Sequence, residues 1–484
     1  MKNDNANGRI KPLVLDVDGT FLKTDMLYEC FWAGLGKDPL RVLSLSFKHF
    51  NDPARLKHEL ARVARLRTDL LPTNPEIEAL AEQSSAAGRE VVLASASDRM
   101  LVERLAADHG ITARVYASDG ETNLKGRTKA ETLIAAYGES GFDYAGDSRA
   151  DRPVWERAEN VLIVGNQPRI ERELTARGKN VTRFEGGWRM RDLVRALRPH
   201  QWVKNVLLLL PMLAAHDFTL ETLTLVVLGM VAFSFAASSI YIINDLLDLE
   251  ADRLHPTKRH RPFASGAVPI SVGMAGFVVL ALTALALGAA LGWAFLGVLV
   301  VYMLASLAYS LKLKRMRWID IAMLASLYTL RVVAGAAAGQ VEISGFMLAF
   351  IYPIFFTLGC VKRMTELTLA DSEERLPGRG YARSDRGDLL NMAILGTVAA
   401  VLIFFFYTLS EQARTLYPTR WILWLAMIPI TAWLIRMVRL GYFGRQDYDP
   451  IVFAMRDKRG IGLLLITLSL MFYAAGLWQE WFGF

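Results

Sequence analysis

Two patterns of apolar positions divide this chain near residue 200. Upstream, the apolar runs are short and punctuated by charge. PLVLDVDGT (12–20), VVLAS (91–95), RVYAS (114–118), FDYAGD (142–147) and NVLIVG (160–165) each read as a buried strand, with helical stretches between them. That alternation predicts a doubly wound α/β domain over residues 1–183, with its site at the carboxyl ends of the strands. The stretch from about 24 to 86 reads as a small helical cap that would choose the substrate. Its His49, His58 and helically spaced arginines read as a solvated or membrane-facing surface. Residues 184–197, FEGGWRMRDLVRAL, open on Gly186-Gly187 and become a basic amphipathic linker expected to lie along a membrane.

Downstream, the runs lengthen to what roughly 30 Å of hydrocarbon requires. Nine spans are expected, at 202–217, 221–246, 268–289, 291–311, 318–339, 343–361, 388–410, 420–440 and 460–481, making 198–484 an all-α membrane bundle. The first is short and contains Pro211. Every other gap is basic: Arg253, Lys258, Arg259 and Arg261; Lys312, Lys314, Arg315 and Arg317; Lys362, Arg363, Arg375, Arg379, Arg383 and Arg386; and a last set from Arg436 to Arg459. The intervening gaps hold almost no Lys or Arg beyond Arg414. The positive-inside rule then predicts a multi-pass inner-membrane protein with its N-terminal domain in the cytoplasm. The alternation holds only if the first run spans.

Composition changes this picture little. The chain is 53% hydrophobic and 21% charged because the two halves differ. Its net charge of +7 sits in inter-helix loops, which points to a bilayer and not to nucleic acid. Cys30 and Cys360, one in each half, imply no disulfide framework. The opening MKNDNANGRIKP lacks an apolar core, so no signal peptide is expected. Apolar helices alone would equally suit a transporter or an inert anchor. Chemistry at the helix ends must decide.

The second span leaves the membrane as YIINDLLDLEADRLHPTKRHRPFASG. Asn244, Asp248 and Asp252 recur every four residues and Asp245 lies three before Asp248, so all four share one broad helix face. Carboxylates there repel one another, and the helix C-terminus disfavours them too. Bound Mg²⁺ removes both penalties and commonly bridges carboxylates to phosphate oxygens. Lys258, Arg259 and Arg261 offer further phosphate contacts. The plainer alternative is a set of solvated charges.

NDLLDLEAD resembles the NDxxDxxxD signature of the UbiA superfamily of intramembrane prenyltransferases, whose architecture is nine helices. The resemblance implies that Asn244, Asp245, Asp248 and Asp252 bind a donor diphosphate, with the three aspartates on Mg²⁺ and Asp245 and Asp248 central to catalysis. A second signature, DxxxD, is broken: Asp320 is present but Leu324 stands four residues on. Segments such as RPHQWVKNVLLLLP, RPFASG, YSLKLK, LYTLRVVAG, VKRMTEL and DPIVFAMRDKRG are similar to a narrower branch, the polyprenyl-phosphate (decaprenyl-phosphate) phosphoribosyltransferases. That branch implies transfer of 5-phosphoribose from phosphoribosyl diphosphate to a lipid phosphate. Lys204, Tyr309, Lys312, Lys314, Lys362 and Arg363 are the substrate-binding candidates, although positive-inside residues are expected at such places anyway. Prenyl transfer from a prenyl diphosphate to an aromatic or other acceptor stays open, because both donors present a metal-bound diphosphate.

DVDGT, Ser95, LKGRTKAETL and GDSRAD, in that order, resemble the haloacid-dehalogenase superfamily over most of residues 11–180. The resemblance implies that Asp16 attacks phosphorus while Asp18 serves as general acid and base. Ser95 and Lys129 would bind the phosphoryl oxygens, with Lys125 the second choice for the lysine. Asp16, Asp147 and Asp151 would hold Mg²⁺. The alternative is a degenerate regulatory domain. The expectation is thus a membrane transferase fused to a phosphatase that dephosphorylates the lipid product.

Overall fold

Strand β1 (Leu13–Leu15) is wholly enclosed, as a strand covered by helices on both faces must be. The computed structural model describes residues 10–111, 114–370, 379–446 and 449–483. Arg375 and the first nine residues, used above for charge and leader arguments, lie outside them. Five parallel partners complete the sheet: β2 (Val91–Asp98), β3 (Val115–Ser118), β4 (Asp143–Gly146), β5 (Asn160–Val164) and β6 (Asn180–Phe184). The order is β3-β2-β1-β4-β5-β6, with Leu13 opposite Val91 on one side and Asp143 on the other. The chain moves outward from β1 to β3, then returns past β1 to β4. Such a reversal opens a crevice at the carboxyl ends of the two central strands.

Between β1 and β2 lie four helices, α1 (Met26–Lys37), α2 (Pro39–Lys48), α3 (Pro53–Ala64) and α4 (Pro75–Ala86). Asp25, Asp38, Asp52 and Asn74 cap them through their side chains. Proline follows the cap in the last three, where its missing N–H costs nothing.

The chain divides into two compact units. One runs to Leu197 and also takes in Tyr241–Phe277; the other comprises Arg198–Ile240 and Val278 onward. The predicted boundary at 198 therefore misses the return of residues 241–277 to the first unit. That return is held by Arg253, whose guanidinium meets the Glu29 carboxylate of α1 at 2.5 and 3.0 Å.

Among the described residues, seven helices are long and apolar enough to cross a membrane: Leu220–Leu247, Ile270–Leu291, Trp293–Leu311, Ile319–Gly339, Gly345–Thr368, Arg383–Leu409 and Trp421–Tyr442. The other two expected spans take different forms. Pro199–Leu209 winds in tight i→i+3 turns before the short helix Leu210–Ala214. Its backbone lies directly on a neighbouring helix: a Cβ on Gly335 would stand 2.0 Å from the Leu208 carbonyl oxygen. The last, Lys458–Ala474, has 17 residues and stops just before Gly476, whose φ is +79°.

Candidate active sites

In the first unit the site forms where the sheet order reverses. Asp16 and Asp18 follow β1, Asp147 follows β4, and Asp151 lies one short turn further on. Gly19, at φ +78°, makes room for this convergence, since a Cβ there would stand 2.3 Å from Asp147 Oδ2. Gly146 does the same for Asp151, at 2.8 Å. One carboxylate oxygen each from Asp16, Asp147 and Asp151 lies within 4.8 Å of the others. Lys129 Nζ donates to Asp16 Oδ1 at 2.9 Å and reaches Asp151 Oδ1 at 3.5 Å. Tyr144 donates to that same Asp151 oxygen at 2.7 Å.

Around this triad the cavity lining holds five carboxylates (Asp16, Asp18, Asp25, Asp147 and Asp151) and four ammonium groups (Lys23, Lys57, Lys125 and Lys129), and among the described residues only Lys129 of these four bonds to the triad. Burial, reinforced by Asp151 and Asp18, lifts the Asp147 carboxyl to about 7. Burial lifts Asp16 too, against the pull of Lys129. Burial would lower Lys129, but Asp16 and Asp151 outweigh it and hold the ammonium above its ordinary value. A hard divalent cation with oxygen ligands suits this donor set and would reverse the carboxylate shifts.

Asp18 stands apart from that triad. Its Oδ1 accepts the Met26 N–H at 2.8 Å, and its Oδ2 accepts the hydroxyls of Ser97 at 2.6 Å and Ser95 at 3.2 Å. Ser95 is enclosed; Ser97 lines the cavity, which measures about 410 Å³. Lys125 also lines it, together with Lys57 from α3. His58, expected at a solvated or membrane-facing surface, keeps about a third of its side chain exposed (37%) while meeting Asp98 Oδ2 at 2.9 Å at the end of β2.

The acidic helix end belongs to the same unit as a separate cluster. The helix breaks after Leu247, and Asp248 leads into the short helix Leu249–Leu254. Asp245 and Asp252 are both enclosed, and Arg261 Nη1 bridges them at 3.1 and 2.7 Å. Burial raises the Asp252 carboxyl even against this guanidinium. The Asn244 Oδ1 atom is buried and accepts no hydrogen bond among the described residues. The structure thus brings Asp245 and Asp252 together on Arg261, with the Asn244 amide oxygen spare; among the described residues the three aspartates of this helix end do not form a group with ligand atoms mutually within 4.8 Å, as Asp16, Asp147 and Asp151 do.

In the second unit the basic candidates separate. Lys204 Nζ lies 2.5 Å and Lys362 Nζ 3.8 Å from the same oxygen of Asp449. Residues adjoining this group in sequence, among them Val206, Leu358 and Ile451, line an apolar cavity of about 520 Å³. Arg363 is different. It is wholly enclosed and grips Asp320 with two nitrogens while also pairing with Glu366. Tyr309 donates to Asp320 at 2.8 Å and accepts from Arg363 and Arg379. Lys312 is exposed and Lys314 partly so.

Sequence reasoning passed over Ser97, Tyr144, Lys57 and Arg331. Arg331 is buried inside a membrane helix, hydrogen-bonded to Asn205 and Tyr302 and flanked by the rings of Phe233, Tyr302 and Tyr328. An ionisable residue inside a long apolar run was the available signal.

The sequence profile of the UbiA prenyltransferase family matches residues 206–453. Over 470 residues the chain is 33% identical to the protein y4nM of Sinorhizobium fredii, covering 95% of this chain and 90% of that one. It is 35% identical over 275 residues to the decaprenyl-phosphate phosphoribosyltransferase of Mycobacterium tuberculosis, covering 55% of this chain and 88% of that one. Among solved structures, a UbiA homolog from Archaeoglobus fulgidus bound to GPP and Mg²⁺ aligns with a TM-score of 0.43 at 17% identity, over 59% of this chain and 99% of that one.

Proposed function

The chain belongs to the UbiA prenyltransferase family, and from that premise we propose that it moves 5-phosphoribose from phosphoribosyl diphosphate to polyprenyl phosphate. One observation carries the choice of donor. Asp320, the remnant of the second acidic signature, is enclosed and committed to Arg363, and Leu324 stands where its partner would be. A single acidic site then remains for the diphosphate. The name of the Mycobacterium tuberculosis relative supports the same donor and acceptor.

In this reading Asn244, Asp245, Asp248 and Asp252 hold the donor diphosphate, with Arg261 turning from the aspartates to phosphate. Bound Mg²⁺ would neutralise charge developing on the leaving group. Lys204 and Lys362 hold the lipid phosphate, and the apolar cavity takes isoprenoid chain. An oxygen of that phosphate attacks C1 of ribose, and the C1–O bond breaks with its electron pair going to diphosphate. The products are a phosphodiester and free diphosphate. Tyr309 and Arg363 act as positioning residues around Asp320. The basic loops orient the first unit toward the cytoplasm.

The first unit is assigned hydrolysis of a phosphate monoester on the lipid product. Asp16 attacks phosphorus, and Asp18 protonates the departing alkoxide. Asp18 then takes a proton from the water that releases phosphate and restores the Asp16 carboxylate. Lys129 and Ser97 lie where phosphoryl oxygens would bind, and Ser95 orients Asp18.

Reconstituted protein should incorporate label from ribose-labelled phosphoribosyl diphosphate into lipid, and Asp248→Asn should abolish this. Incorporation from a labelled prenyl diphosphate instead would replace this reading with prenyl transfer. Equal behaviour of wild type and Asp248→Asn with both donors would leave a transporter or scaffold. Unchanged phosphate content of the lipid product in Asp16→Asn would remove the hydrolase assignment.

A further inference from the structure

The helix α2 has two apolar faces, and the fold uses one of them. Val42 is enclosed, and Leu45, Ser46 and His49 on the same side are half-buried. That side packs on α1 and α3. Gly34 of α1 permits the approach, since a Cβ there would stand 2.8 Å from Val42 Cγ2. Asp38 caps α2 by accepting the Arg41 N–H at 3.2 Å. Lys37 donates to the Ala64 carbonyl at 2.7 Å, fastening the end of α1 to the end of α3. A helix of 10 residues is marginal alone in water, so this packing keeps it formed.

The other face is apolar and bare. Leu40, Leu43 and Phe47 recur along one side of α2, and Phe50 follows just beyond its end. Leu40 is 82% and Phe47 91% exposed. Single exposed apolar residues are ordinary, but four gathered on one short helix are not. Arg41 and Lys48, both exposed, line one flank of this face. Such a helix suits the polar–apolar boundary of a bilayer. Its Leu and Phe side chains enter the acyl region while the long basic side chains reach back to lipid phosphates.

The place of this face within its own unit selects the occupant. The helix Leu220–Leu247 has 28 residues and is about 42 Å long, which matches a bilayer together with its headgroup layers. Its last residue therefore stands at headgroup level. A Cβ on Gly36 would stand 3.9 Å from the Leu247 carbonyl oxygen. Leu40 follows Gly36 by four residues, so the bare face begins within about 14 Å of that level.

We propose that α2 inserts Leu40, Leu43, Phe47 and Phe50 into one leaflet of an anionic phospholipid bilayer, with Arg41 and Lys48 on lipid phosphates. The occupant of the bare face is the membrane that the chain's own spans cross, and not a protein partner. Tyr28 of α1 and Lys57 of α3 line the Asp16 cavity, so an inserted α2 steadies the two helices that supply them. The inference does not depend on what that cavity hydrolyses.

Cys30 and Cys360 are both buried, so a new surface cysteine takes a nitroxide label selectively. Phe47→Cys is labelled in the full chain, which is placed in nanodiscs of phosphatidylcholine and phosphatidylglycerol. Gln83→Cys, at an exposed position of α4, serves as the water-facing reference. Power saturation compares collisions with oxygen, which partitions into lipid, and with a water-soluble nickel chelate. The oxygen-to-nickel ratio at residue 47 should exceed that at residue 83 by about 10-fold. It should fall in discs of phosphatidylcholine alone, and the double variant Arg41→Gln, Lys48→Gln should abolish the difference between the two lipids. Equal ratios at the two positions overturn the proposal, as does a ratio at residue 47 that neither headgroup charge nor the double variant moves. Spin–spin broadening at residue 47 that disappears on dilution with unlabelled chain would mark a contact between copies and overturn it too. Leu40→Cys gives the same reading from the other end of α2 should Phe47→Cys not fold.

Discussion

Arg363 holds both oxygens of Asp320, at 2.5 and 2.8 Å, and neither side chain reaches solvent. Two charges removed from water in this way stabilise a fold only as a pair. Removing one partner leaves the other buried and uncompensated, at a cost of about 3–5 kcal/mol. Arg363→Met and Asp320→Asn should therefore each lower the Tm of the purified protein markedly. The double variant should recover a large part of the loss. If the single variants leave Tm unchanged, the pair is not the structural element described here.

Arg261 bridges Asp245 and Asp252 where the bound cation is proposed to stand. Arg261→Ala leaves those carboxylates facing each other, so Tm without divalent ions should fall. Added Mg²⁺ should then raise Tm more in the variant than in wild type, because binding to the folded state alone stabilises by mass action. A thermal-shift titration with and without chelator reads both effects. An identical Mg²⁺ increment in the two proteins would argue against competition at this site.

The two sites should part company under substitution. Asp147→Asn removes one of three carboxylates that converge within 4.8 Å in the first unit. It should abolish phosphate release from the lipid-borne monoester and leave transfer of labelled phosphoribose into lipid at its wild-type rate. Chelation of divalent ions should stop both reactions. Loss of transfer in Asp147→Asn would mean that the two sites do not operate independently.

Much of this was readable in the chain. Five of the six strands follow from short apolar runs ending in Asp, Ser or Gly, and the carboxylates of DVDGT and GDSRAD converge because the sheet order reverses beside β1. Strand β6 was missed because NVTRF is an edge strand with exposed, polar positions and carries no apolar run. The two outlying runs differ from the other seven in form, which apolarity alone does not foretell: Pro199–Leu209 tightens against Gly335, and Lys458–Ala474 is a 17-residue helix that stops just before Gly476. Charge identity was legible, but charge partnership was not. Lys362 and Arg363 are adjacent in sequence and look alike as positive-inside residues, yet one faces Asp449 and the other is locked to Asp320. Helical rotation of about 100° per residue separates their surroundings.

Asp449 lies between Lys204 and Lys362, and its charge should govern how the first of these is held. Burial alone would raise its carboxyl, but the two ammonium groups outweigh burial and hold it below the usual carboxylate range. A carboxyl depressed on folding contributes stability that is fully present above its unfolded value, near 4, and is lost as pH falls toward the folded value. Asp449→Asn should thus lower Tm at pH 7, and the gap to wild type should narrow as pH is taken below about 4. At neutral pH the variant should also lower KM for polyprenyl phosphate more than for phosphoribosyl diphosphate, since it removes the carboxylate that competes with the lipid phosphate for Lys204 and Lys362. A Tm difference that stays constant across the acid range would show that Asp449 is not the charged partner of this pair. Equal shifts in both KM values would detach Lys204 and Lys362 from the acceptor.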